Sequence, residues 1–239
     1  MEERYLQMLP SELHPIIEEA EEKAACVIRV LPDENAAEFD NLMLGITPRG
    51  DLEATIFYRG TEISRCALIH EVLHIQRNLN EEIPCLKPLA RRFYDQAWML
   101  NDLLEHLIII PEEQKHVETE SRERWTGLCN ELLWDVAGRW WAIPEITLKQ
   151  NLFQLRAMRD IALPFWNSGQ LDDLLTGARL WDTSMEFVAT LKSKREQKVN
   201  LLRFAALEFQ YDPAGFNIVR FDLSARPRTV ALVRNLHSG

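Results

Sequence analysis

The sequence predicts an α+β fold that is mainly helical. Three observations predict it. Two strand-like segments near residues 42–58 flank a tight turn, helical periodicity fills most of the chain from about 112 to 210, and two β-rich segments follow residue 216. The expected architecture is a small antiparallel sheet packed on the helix after it. A larger helical portion and a C-terminal strand pair come next. The expected division is 1–111 and 112–239, packed as one compact unit.

The elements follow in order. Ser11 and Glu12 precede Ile16, Ile17, Ala20 and Ala24, whose spacing predicts an amphipathic helix. Pro32 and the acidic stretch Asp33 to Asp40 predict a loop. Leu42 to Ile46 and Leu52 to Tyr58 form a hairpin around Pro48-Arg49-Gly50-Asp51, because Pro fixes φ and Gly supplies positive φ. Gly60 breaks the second arm. Thr61 or Ser64 caps the next helix, which runs to about Asn78. Pro84 and Pro88 punctuate a connection. A helix from about Leu89 to Ile109 follows, and Pro111 is expected to stop it. Breaks in the later helices are expected at Ala142-Ile143-Pro144, Pro164 and Asn167-Ser168-Gly169. Phe216 to Leu223 and Thr229 to Leu236 are the closing strands.

Hydrophobic residues make up 46% of the 239 positions and charged residues 27%, the balance of a globular domain with a real core. The longest strongly apolar run, Leu103 to Ile110, is interrupted by Glu105 and His106, so no membrane span is expected. Met1-Glu2-Glu3-Arg4 lacks an apolar signal core, and a cytosolic location is expected. Cys26, Cys66, Cys85 and Cys129 form no close CxxC pair and are expected to be reduced, buried thiols. The net charge is -10, yet from Lys192 onward nine Lys or Arg face four Asp or Glu. An acidic body repels phosphate backbones, so nucleic acid is excluded as a partner. The basic run Lys192 to Lys198 is expected to be a solvated helix face. Trp134, Trp140 and Trp141 are expected in the core.

The segment His70-Glu71-Val72-Leu73-His74 is HExxH. On a helix, residues four apart share a face, so His70 and His74 can converge on one ion. Glu71 is displaced about 100° from His70, by the helix period. Its carboxylate can lie beside a metal without ligating it, where a general base must sit. Leu68, Ile69, Val72, Leu73 and Ile75 make the surroundings apolar, and buried histidines in such surroundings need partners.

These residues resemble the zincin metallopeptidases over about 40–110. The resemblance implies one zinc ion per chain, hydrolysis of a peptide bond, and a peptide or protein substrate. It implies that Leu52 to Tyr58 is the edge strand that pairs with extended substrate. It also implies a third ligand from the helix after the motif. Gln76 departs from the zincin consensus, being polar where a hydrophobe is common. The metzincin arrangement is absent, since no histidine follows His74 within a dozen residues. The gluzincin arrangement, with a glutamate from a later helix, points to Asn101 to His106, although the full NExxSD motif is missing. Glu105 and His106 flank that helix's apolar face on opposite sides, and periodicity does not choose between them. Resemblance slightly favours Glu105. Asp102 shares a side with His106 and could orient it.

Tyr94, His116, Tyr211 and His237 are available to stabilise an oxyanion, and nothing in the sequence selects one. Two other readings stay open: a zincin-like fold kept as a binding or regulatory module, and a zinc hydrolase acting on a non-peptide bond. The helical portion after 112 is the part available to a protein partner.

Overall fold

The computed structural model describes residues 1–33, 41–46, 51–193, 197–223 and 229–235. The fold is α+β and mainly helical, with two small sheets. By packing, the chain divides into two compact units, one built from Met1–Pro84 and Val219–Arg234, the other from Cys85–Ile218 and the C-terminal residues from Asn235.

The first unit opens with a short turn of helix, α1 (Glu3–Leu6), and continues into α2 (His14–Ala24). Ile17, Ala20 and Ala24 form the buried stripe of α2, as their spacing requires. Strand β1 (Arg29–Pro32) was not expected, because Pro32 reads as a loop start. It lies at an edge of its sheet, where a proline's missing N–H costs little. Strands β2 (Asn41–Ile46) and β3 (Leu52–Tyr58) form the expected antiparallel pair, with Leu42 opposite Ile56. Their turn, 47–50, lies outside the described residues, as does 34–40 of the expected acidic loop. β1 pairs in parallel with β3, so the sheet order is β1-β3-β2. Leu52, Ala54, Ile56 and Tyr58 are buried along one face of β3.

Helix α3 (Arg65–Ile75) follows. Ser64 caps it, its Oγ accepting the Ala67 N–H at 3.1 Å. Every residue from Cys66 to Leu73 is buried, and so is Ile75. A helix apolar all round belongs in an interior. It ends in a wide π-helical turn, Gln76–Asn80, whose Asn80 donates to the Ile16 carbonyl at 3.0 Å and accepts from Lys23 at 2.9 Å. These bonds fasten the end of the motif helix to α2.

The second unit begins with strand β4 (Cys85–Pro88), in the stretch read from sequence as a connection. The side chain of Asn101 accepts from the Leu86 N–H at 2.8 Å and donates to the Leu86 carbonyl at 3.0 Å. It thereby acts as a strand neighbour and ties β4 to helix α4 (Tyr94–Glu113). That helix starts later than expected and runs through Pro111 instead of stopping there. Proline forfeits one backbone bond inside a helix, but only Glu112 and Glu113 lie beyond it. Glu113 is fully buried and accepts from the Trp125 indole N–H at 3.0 Å.

The remaining helices are α5 (Glu118–Arg139), α6 (Glu145–Ala157), α7 (Gly169–Gly177), α8 (Trp181–Ser193) and α9 (Lys198–Glu208). The expected breaks fall between them. Phe153, Phe187 and Phe209 pack with ring centroids 5.1–6.5 Å apart at the centre of this unit. Strands β5 (Phe216–Asp222) and β6 (Thr229–Asn235) close the chain, and the second sheet has the order β4-β5-β6. Gly215, just before β5, is a required glycine: an added Cβ would meet the Phe93 ring at 2.8 Å.

Several expectations need correction. Trp134 and Trp141 are not in the core: they are 78% and 72% exposed, and Trp140 is partly exposed as well. They sit on or just beyond the outward side of α5, whose inward stripe is Trp125, Cys129, Leu133 and Val136. Lys198, read as part of a solvated face, is buried, whereas Lys192 is exposed. All four cysteines are free thiols, but only Cys66 and Cys129 are buried; Cys26 and Cys85 are half-buried. Among the described residues no helix is long and apolar enough to cross a membrane.

Candidate metal centre

Helix α3 places the motif residues as their spacing demands. The Nε2 atoms of His70 and His74 approach to 3.2 Å, with ring centroids 4.8 Å apart and the rings nearly perpendicular. Two nitrogens each about 2.05 Å from a tetrahedral ion stand about 3.3 Å apart. The two nitrogens therefore stand at the separation that two ligands of one zinc ion have. His70 and Glu71 are buried and His74 is half-buried. Asn78 donates to the His74 carbonyl at 2.9 Å, which steadies the helix end where His74 sits.

In the second unit, Glu105 and His106 occupy neighbouring positions on α4 and have different surroundings. The Glu105 carboxylate is engaged by the Lys198 ammonium from α9 in a buried ion pair. Breaking such a pair leaves an uncompensated charge in the interior. His106 stacks at a tilt on Trp125, centroids 4.7 Å apart. Burial pushes the His106 imidazolium down to about 3, the nearby Arg124 cation adding to the effect and Glu105 opposing it. The ring is therefore neutral at ordinary pH, the form a metal ligand must have. Its Nε2 stands 4.0 Å from an Asp102 carboxylate oxygen, beyond hydrogen-bond reach.

Sequence reasoning did not single out Arg124, Trp125 or Lys198. Nothing in spacing marks them, because each reaches the Glu105–His106 stretch from another helix. Among the oxyanion candidates, Tyr94 is exposed, His116 is half-buried, Tyr211 is buried and His237 lies outside the described residues. Burial raises the Tyr211 phenol, and no partner for its buried hydroxyl is present among the described residues.

One expectation about this site is overturned. Leu52 to Tyr58 is the middle strand of its sheet, with β1 on one side and β2 on the other. Its backbone groups opposite both neighbours are spent on the ladder, so it is not an edge strand open to substrate. The missed strand β1 is the cause, since without it β3 reads as an edge.

No protein-family model, no curated protein and no solved structure matches the chain.

Proposed function

We propose that the protein is a zinc-dependent hydrolase of the peptidase type, with one zinc ion held by His70 and His74 of the motif helix. The observation that carries this reading is the 3.2 Å approach of the His70 and His74 Nε2 atoms on a helix whose next residue after His70 is a buried glutamate. Histidines four apart on a helix suit zinc, whose sites combine imidazole nitrogens with an open position.

The zincin resemblance implies a third ligand from α4, and of its two candidates His106 suits the role better than Glu105. Glu105 already satisfies its charge with Lys198, and withdrawing it would strand a buried ammonium. His106 is neutral and needs to give up no proton to bind a metal.

When bound, zinc would supply a Lewis acid that polarises a carbonyl and acidifies a water. The chain's own residues do the remaining work. Glu71 takes the proton of the attacking water and hands it to the leaving nitrogen of an amide. The apolar residues around the motif exclude bulk water and strengthen each of these interactions. The substrate class is a peptide or protein.

Elemental analysis of untagged protein purified without chelator tests the reading, together with cleavage of an unstructured protein such as casein. About one zinc per chain and chelator-sensitive cleavage are expected. A chain that holds no transition metal, and takes up none when zinc is added, would overturn it.

A further inference from the structure

Outside the metal centre, the second unit contains a cleft of about 430 Å³ beside Trp134, where α5 approaches the start of α7. Beside Trp134 and Leu133, its lining includes the polar side chains of Asn130, Glu131, Asn167, Ser168 and Gln170. We propose that this cleft is a binding site for a neutral saccharide, with Trp134 as the platform for the sugar ring. The proposal is independent of the metal chemistry.

Three observations support it. First, Trp134 is 78% exposed, so its ring face is open to a ligand. Its flat face suits the apolar C–H face of a pyranose. Secondly, the polar groups are already oriented. Asn130 Oδ1 accepts from the Trp166 indole N–H at 2.9 Å. Trp can only donate, so the oxygen must face it and the Asn130 amide nitrogen is left as a donor. Ser168 Oγ accepts from the Leu171 N–H at 3.3 Å as the cap of α7, which leaves its own O–H to donate. Thirdly, the lining mixes donors and acceptors: the Glu131 carboxylate accepts, and the Asn167 and Gln170 amides do both. A sugar hydroxyl both donates and accepts, so it uses such a mixture fully.

Other ligand classes fit less well. Glu131 in the lining and a net charge of -10 disfavour an anion. A purely apolar peptide side chain would strand five polar side chains against it, and unpaired polar groups are costly to bury.

The experiment titrates the intact protein separately with cellobiose, maltose and N,N′-diacetylchitobiose. Tryptophan fluorescence and saturation-transfer NMR are the readouts. At least one sugar is expected to bind with a dissociation constant of about 0.1–10 mM, as small, partly exposed ligands do. Saturation should pass to the ring C–H protons. Trp134→Ala should weaken that binding at least tenfold, and Trp141→Ala, outside the cleft, should leave it unchanged. Trp134 is exposed, so its loss does not threaten folding; circular dichroism of the variant checks this. Three outcomes would overturn the proposal: no binding of any of the three sugars, binding unaffected by Trp134→Ala, or a concentration-dependent dimer abolished by Trp134→Ala, which would make the ring a contact between copies.

Discussion

At the residue scale, the proposed function gives His70 and Glu71 on one helix separable roles. Glu71→Gln should abolish hydrolysis and keep the metal, because the amide retains the shape but cannot take a proton. His70→Ala should lose both. Activity assays paired with zinc titration check this, and equal metal loss in the two variants would reverse the role assignment. The choice on α4 is tested in the same way. On the proposed reading, His106→Ala should weaken zinc binding by about a hundredfold or more, since it removes a ligand. Glu105→Gln should leave the zinc affinity of the folded protein within a few-fold of the parent. It should instead lower the unfolding free energy by about 3–5 kcal/mol, because it strands the Lys198 ammonium. The HExxH residues were legible in the sequence because their relation is local: four residues on a helix fix two imidazoles on one face. Glu105 and His106 were legible only as a pair. What distinguishes them is Lys198, 93 residues away, and no local pattern records that contact.

At the scale of elements, the helix that bears the motif depends on its cap. Ser64→Ala removes the acceptor for the Ala67 N–H and should cost about 1 kcal/mol, read as a shift in the denaturant midpoint. Gly215→Ala should be destabilising by about 1–3 kcal/mol, because the new methyl group meets the Phe93 ring. If thermal melting of Gly215→Ala matched the parent, the Phe93 ring would have room to move that the packing does not show. The elements that sequence misread share one cause. β1 and β4 are four residues long and end in proline, too short for alternation to show. Pro111 looked like a stop because proline usually is one, yet a helix tolerates it near its end. The exposed tryptophans of α5 were assigned to the core by composition. Their positions on the helix, set against the buried stripe from Trp125 to Val136, place them outside.

At the scale of the whole molecule, the fold class was legible because long helical periods and β-rich ends survive without any knowledge of contacts. The order of strands was not, since a parallel pairing between β1 and β3 joins segments separated by an acidic stretch with no pattern of its own. Global stability should carry one signature of the core of the second unit. Burial pushes the Cys129 thiol from 9.0 up to about 12. The unfolded chain releases that proton first, so the stabilisation is present below pH 9 and is lost as pH rises toward 12. Denaturant melts across that window should show a decline that is shallower in Cys129→Val. An unchanged slope would mean the thiol ionises as readily in the folded chain as in water.

The first unit draws on two stretches of chain, Met1–Pro84 and Val219–Arg234, with all of Cys85–Ile218 lying between them in sequence. A ribosome delivers these stretches at different times. At about 5–20 residues per second, the second stretch follows the first by roughly 7 to 27 seconds. Throughout that delay the HExxH helix has been synthesised and its unit is still incomplete. Nearly all of the second unit, Cys85–Ile218, is synthesised in that interval. The nascent chain therefore exposes an apolar, histidine-bearing helix before its own unit is whole, and that interval is where a holdase chaperone or a premature metal ion would meet it.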